Sequence, residues 1–281
     1  MPEFRGKKGT NDKLADSKAV SRWKILGLYK AQIDDDGIAL LKDVAINLEE
    51  IQIWSDIITD RSLEILCALP KLRSLFLDYA PQVTDSGISY LTQAHELREL
   101  RLRDTQLTDK GINYFLSLQH IWSLDLTGTK ITDKGVSKLT KLNELGIVRL
   151  DRTQIQGHGL KYLPDVSRTR CYLYVENCPI SDDGLRGFLE THSSYDTISL
   201  SGTLITDALL PAIAAIKNLA ELRLNNTMVS DDGVRFLCGH PSLCMLYVRG
   251  TRVSKEMVER LKREGAKNLM IYQEPRTYPE S

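Results

Sequence analysis

The sequence predicts an α/β fold: a solenoid of about ten stacked strand–helix units, with a parallel sheet inside and helices outside. Two observations carry this. A frame L-x-x-L-x-L-x-x-T-x-I-T-D-x-G-L recurs along the chain, for instance over Leu97–Ile112, Ile121–Val136 and Leu219–Val234. It also recurs at one period. With the Thr as marker it falls at Ala31, Asp56, Ala80, Thr105, Thr129, Thr153, Cys178, Thr203, Thr227 and Thr251, in steps of 24 or 25 residues.

Each part of the frame has a physical reading. The L-x-L core (Leu100 and Leu102, Leu124 and Leu126, Leu222 and Leu224) alternates with polar residues, as a strand buried on one face does. The marker is small, so it predicts a buried site where a hydroxyl bonds backbone as the chain turns inward. The T-D-x-G or S-D-D-G piece that follows supplies helix N-caps. Apolar residues three apart then share one helical face, as in Ile112, Phe115 and Leu118, or Leu160, Leu163 and Val166. A weaker eleventh strand is expected at Leu269 and Ile271. The frame departs from itself at Asp56–Ser62, which lacks the Gly, at Gln156 in the capping position, and at Leu209 in a Gly position.

This pattern resembles the leucine-rich repeat, over about residues 21 to 273. The T-D-x-G-L piece is similar to the ribonuclease-inhibitor-like and F-box-associated subclass, where Cys often holds the marker; here Thr replaces it, as in bacterial repeats of this kind. The resemblance implies a horseshoe-shaped binding scaffold. The expected organisation is a polar N-terminal segment over 1–20, flexible or a fragment end, the repeat domain over 21–273, and a flexible tail over 274–281.

Composition narrows the function. The 281 residues carry 37 Lys+Arg and 37 Asp+Glu, a net charge of zero. That disfavours a nucleic-acid binder, which needs a basic excess, and a polybasic membrane binder. No apolar run approaches the ~20 residues needed to span a bilayer, and the polar start lacks the apolar core of a secretory signal. Five cysteines at irregular spacing do not suggest a disulfide framework; a reduced, cytoplasmic setting is expected.

No motif anchors an enzyme, cofactor or metal. His95, His120, His192 and His240 fall in the return loops just before a strand and His158 before a helix, one to two repeats apart and without metal-ligand spacing. Cys171 and Cys178, or Cys238 and Cys244, form no C-x-x-C, and Cys178 occupies the buried marker site. The acidic runs Asp34–Asp36, Asp182–Asp183 and Asp231–Asp232 are assigned to helix capping and dipole interaction rather than calcium. The periodic glycines are assigned to turn geometry, and no nucleotide-binding or nucleophile-elbow pattern is present.

Binding residues are therefore sought at the polar strand positions, which line up in columns about 4.8 Å apart from strand to strand. One column reads Gly27, Gln52, Phe76, Arg101, Asp125, Arg149, Tyr174, Ser199, Arg223 and Tyr247. Two residues on, the next reads Tyr29, Trp54, Asp78, Arg103, Thr127, Asp151, Glu176, Ser201, Asn225 and Arg249. Aromatic and Arg side chains are enriched at binding hot spots. The expected partner-binding residues on the concave face are Tyr29, Trp54, Phe76, Arg101, Arg103, Arg149, Tyr174, Arg223 and Tyr247. Trp54 and Phe76 are expected within reach of each other. The functional expectation is a monomeric, non-enzymatic scaffold that binds another protein and needs no cofactor. The alternatives are a substrate-recognition part of a ubiquitin-ligase-like complex, or the repeat platform of a larger enzyme.

Overall fold

A computed structural model describes residues 3–5, 10–15, 20–164, 170–265 and 269–273. Twelve strands form one sheet in chain order, every pair parallel. They are β1 (Glu3–Arg5), β2 (Ile25–Tyr29), β3 (Glu50–Trp54), β4 (Ser74–Asp78), β5 (Glu99–Arg103) and β6 (Ser123–Asp125), then β7 (Ile147–Arg149), β8 (Tyr172–Tyr174), β9 (Thr197–Ser199), β10 (Glu221–Arg223), β11 (Met245–Tyr247) and β12 (Met270–Tyr272). Helical turns alternate with the strands, so this is the strand–helix solenoid that the period implies. β12 is the eleventh strand expected from Leu269 and Ile271. β1 extends the sheet one strand further, within the segment assigned to a polar N-terminal region. Asn11, in the helix Asn11–Ala15, donates a hydrogen bond to Asp34 at 2.7 Å. The tail 274–281 lies outside the described residues.

The strand register matches the repeat frame. Leu26, Ile51, Leu75, Leu100, Leu124, Val148, Leu173, Ile198, Leu222 and Leu246 pair in one row and are all buried. Each such side chain contributes about 1.5–3 kcal/mol of burial, and the row makes the core continuous from unit to unit. The outer helices are short and many are 3₁₀ turns, as in Gly111–Ser117 and Leu160–Tyr162. Apolar residues three apart explain this, because a 3₁₀ helix has three residues per turn and aligns i with i+3. Ile112, Phe115 and Leu118 are fully buried this way; Val166 lies outside the described residues. No helix among the described residues is long and apolar enough to cross a membrane.

The marker works as its size suggests. Its hydroxyl donates to the carbonyl three residues back, as Thr129 does to Leu126 at 2.7 Å, Thr153 to Leu150 at 2.7 Å and Thr227 to Leu224 at 2.6 Å. Cys178 substitutes with its thiol, which donates to Leu150. Asp56 is the exception: it is exposed, and the small buried residue of that unit is Ser55. The residue just before the marker adopts left-handed backbone in most units. Gly128, Gly202 and Gly250 alternate there with Asp104, Arg152, Asn177 and Asn226.

The T-D-x-G piece does more than cap. The Thr or Ser caps its own helix, as when Thr132 accepts from Lys134 N–H at 3.2 Å. The Asp beside it accepts both the N–H and the hydroxyl of the capping residue one repeat later. Asp35 does this to Thr59, Asp60 to Thr84, Asp85 to Thr108, Asp109 to Thr132, Asp182 to Thr206, Asp207 to Ser230 and Asp231 to Ser254. The N–H contacts are 2.7–2.9 Å and the hydroxyl contacts 2.5–2.6 Å. The assignment of these acids to capping is thus incomplete: they latch neighbouring units. The glycine two residues after the Asp is not a turn residue either. A Cβ on Gly135 would stand 2.3 Å from Asp109 Oδ1, and one on Gly111 2.5 Å from Asp85 Oδ1. Glycine is required so that the preceding unit's latch can pass.

Among the described residues the latch is missing at one junction. Gln156 sits in the capping position, and Gly157, at φ +103°, in the place of the Asp. Asp133 still reaches that unit, accepting from the N–H groups of Gln156, Gly157 and Gly159 at 2.8–3.0 Å. Nothing equivalent joins Gly157 to Ser181.

Candidate interaction surface

On the open face of the sheet the two polar columns line up as read from the sequence. Gln52, Phe76, Arg101, Asp125, Arg149, Tyr174, Ser199, Arg223 and Tyr247 are register partners in succession, and Tyr29, Trp54, Asp78 and Arg103 form the start of the second column. What each side chain does there varies.

At the N-terminal end Trp54 is 41% exposed and Phe76 is half-buried. Among the described residues no ring contact joins the two. One strand across and two residues along separate their backbones by about 8 Å, and each ring is taken by a different cation. Lys30 Nζ lies 4.3 Å from the Trp54 ring, and the Arg101 guanidinium 4.7 Å from Phe76. The Tyr29 hydroxyl donates to Gln52 Oε1. Beside Trp54 a groove of about 740 Å³ opens toward the turn, walled by Ile57 and Tyr79 and rimmed by Lys30, Asp34 and Asp56. Tyr79 holds left-handed backbone at φ +57° and is 56% exposed. It lies outside both columns, and nothing in the repeat frame singles it out.

Arg101 and Arg103 are committed within the fold. Arg103 donates through Nε to Asp125 at 2.8 Å, with its Nη2 at 2.7 Å; Arg101 reaches Asp78 at 3.3 Å and Asp125 at 3.8 Å. Asp125 also accepts from Thr127 N–H and hydroxyl, and it is only 5% exposed because the two arginines fold over it. The guanidinium of Arg103 is held above its ordinary pKa: burial opposes the charge, but the bond to Asp125 and the nearby acids outweigh it. Arg223 is similarly occupied, by Glu221 at 2.6 Å and Glu176 at 3.8 Å, while lying over Tyr247 at 5.1 Å. Tyr247 stacks on Tyr272 at 4.4 Å between centroids. Ser199 and Ser201, at polar column positions, are buried beneath these longer neighbours.

Arg149 differs. Its guanidinium lies 3.7 Å from the Tyr174 ring centroid and has no ion-pair partner among the described residues. The nearby Asp151 accepts the N–H of Glu176 at 2.7 Å. Burial pushes its carboxyl from 3.8 up to about 6, with repulsion from Glu176 and Asp125 adding to the rise, while the Glu176 N–H and Arg149 oppose it. Below about pH 4 the group is protonated folded or unfolded. Above pH 6 the folded state carries the full cost of a buried charge, so this group lowers stability as pH rises through that window. Asp151→Asn is therefore expected to stabilise the protein by about 1–3 kcal/mol at pH 8, with the gain vanishing below pH 4. Denaturant midpoints across pH check this; a gain independent of pH would refute the raised carboxyl.

The histidines and cysteines are mostly structural. His192 and His240 are buried and bond backbone of the preceding unit, at Leu163 and Ile216, both at 3.0 Å. Burial pushes the Cys67 thiol up to about 12. Among the described residues no group of three His, Cys, Asp or Glu is placed to hold a metal.

A family model described as "Leucine Rich repeat" matches residues 94–115 and 117–139. The fold is that of a leucine-rich repeat solenoid. Its likeness to solved structures extends over nearly the whole chain. An internalin (InlF) from Listeria monocytogenes is 18% identical with a TM-score of 0.58, over 93% of this chain and 84% of that one. The complex of Rad7 and Elc1 in yeast gives 17% identity and a TM-score of 0.58, over 97% of this chain and 80% of the matched chain. A plant peptide hormone receptor, RGFR1 in complex with RGF2, gives 15% and 0.51 over 89% of this chain; the match spans 38% of the receptor chain. At these identities the likeness is one of fold. No curated protein matches the sequence.

Proposed function

We propose that this leucine-rich repeat chain is a monomeric, non-enzymatic, cytoplasmic scaffold that binds another protein through the concave face of its sheet. The observation that carries this is the row of aromatic rings held in place by cations on that face: Trp54 under Lys30, Phe76 under Arg101, Tyr174 under Arg149. Side chains fixed in this way lose little freedom on binding, so contact energy is retained as affinity. The mixed charge of the face, with carboxylates already paired to Arg101, Arg103 and Arg223, favours a protein partner over a polyanion. The repeats themselves fit the ribonuclease-inhibitor-like subclass, with Thr in place of Cys at most markers.

Trp54→Ala with Phe76→Ala is expected to remove partner capture and to leave the unfolding midpoint nearly unchanged, since Trp54 is substantially exposed. Truncating one hot-spot aromatic costs about 2 kcal/mol or more of binding. Quantitative affinity capture of wild type against the double variant, with thermal unfolding of both, is the check. Undiminished capture by a stable variant would move the interface elsewhere.

A further inference from the structure

We propose that the groove at the starts of β7 and β8 is a docking site for a peptide segment of a partner protein in which a carboxylate side chain stands beside a bulky apolar one. This rests on the concave-face reading and assigns it a chemistry.

The groove has a volume of about 520 Å³ and is lined mostly by residues at and just before the starts of β7 and β8. Its apolar wall is Trp122, 41% exposed, with Ile147 and Tyr172 beside it, and Gly146 contributes no side chain to fill the space. The volume lies within the range of a small binding site. Two guanidiniums, Arg149 and Arg170, line the same groove. Most other arginines of the open face are neutralised from within: Arg101 and Arg103 by Asp78 and Asp125, Arg223 by Glu221 and Glu176; Arg249, exposed at the far end of the second column, is unpaired among the described residues but lines no part of this groove. Neither Arg149 nor Arg170 has a carboxylate within ion-pair distance among the described residues. The one acidic side chain in the groove wall, Glu144, faces His120 at 3.5 Å. Arg149 rests flat on Tyr174, which orients its planar fork and leaves its N–H edges for an acceptor. The groove thus offers two cations without an ion-pair partner among the described residues, beside an exposed aromatic ring. The complement is an acidic side chain adjacent to an apolar one.

A random dodecapeptide library displayed on phage and panned on the full chain tests this. The expected enrichment is Asp or Glu next to Phe, Leu, Ile or Trp. Synthetic winners, titrated by fluorescence anisotropy of a labelled peptide, should bind Arg149→Gln/Arg170→Gln roughly 10–100-fold more weakly and Trp54→Ala/Phe76→Ala about as well as wild type. Changing the peptide's Glu to Gln should weaken binding to wild type by a similar factor and cause little further loss in the arginine variant. Arg170→Gln alone, at an exposed side chain, keeps the test valid if losing Arg149 lowers stability. No consensus, a consensus without an acidic residue, or winners indifferent to both arginines would overturn the proposal. Winners lost only in the Trp54/Phe76 variant would overturn this site and leave the concave-face reading standing.

Discussion

Leu124→Ala is expected to destabilise the protein by about 2–5 kcal/mol, the cost of deleting a buried leucine and leaving a cavity. Leu124 is fully buried, in the middle of the row that runs from Leu26 to Leu246, with Leu100 and Val148 as its register partners. In a solenoid each unit is supported only by its neighbours, so a cavity in one weakens its coupling to the units on both sides. The loss should therefore appear locally first. Trp122 stands two residues away in the same unit and Trp54 three units earlier, so their emissions separate local from distant loss. Urea unfolding followed selectively, with the other tryptophans replaced by Phe, should show the Trp122 transition moving more than that of Trp54. A loss below about 1 kcal/mol would mean that neighbouring side chains collapse into the space.

Much of this was legible in the sequence because the signals are periodic. Alternation of Leu and polar residues places Arg101, Arg149 and Tyr174 in one column, and the strand register puts them there. The helices were legible in position but not in kind until the three-residue spacing of Ile112, Phe115 and Leu118 is weighed as a 3₁₀ signal. The left-handed position before the marker shows as Gly128, Asn177, Gly202 and Asn226, but Lys30, Tyr79 and Arg152 hide it.

The interaction surface was less legible, for a physical reason. Whether an arginine is free depends on which carboxylate its long side chain reaches, and strand position does not decide that. Arg101 and Arg149 occupy the same column, yet Arg101 lies between Asp78 and Asp125 while Arg149 lies on an aromatic ring. Trp122 and Arg170 fall just outside the strands, beyond the reach of any column. The latching aspartates escaped for the opposite reason. T-D at a helix start already has a sufficient local explanation in capping, and nothing within one repeat shows that the Asp bonds a residue one unit later.

That second role makes a prediction about coupling. Asp109→Ala strips the partner from both the N–H and the hydroxyl of Thr132, which it accepts at 2.8 and 2.6 Å. Hydrogen bonds to a carboxylate are worth about 1.5–3 kcal/mol, and a loss of that order is expected. Gly135→Ala is expected to cost about 1–3 kcal/mol, the usual range for overpacking, because its Cβ would stand 2.3 Å from Asp109 Oδ1. If that carboxylate is the cause, Gly135→Ala should cost little once Asp109 is Ala. A helix effect does not account for that cost, because in a helix Ala is favoured over Gly by up to about 1 kcal/mol. The double variant should then be more stable than the sum of the singles by about 1–3 kcal/mol. Denaturant unfolding of the four proteins measures this coupling. Simple additivity would mean that the glycine serves its own backbone rather than the latch. The same reasoning makes the unlatched junction between Gly157 and Ser181 hard to repair by Gly157→Asp, because that position holds φ +103° and a Cβ there would stand 2.8 Å from the Gly184 carbonyl carbon.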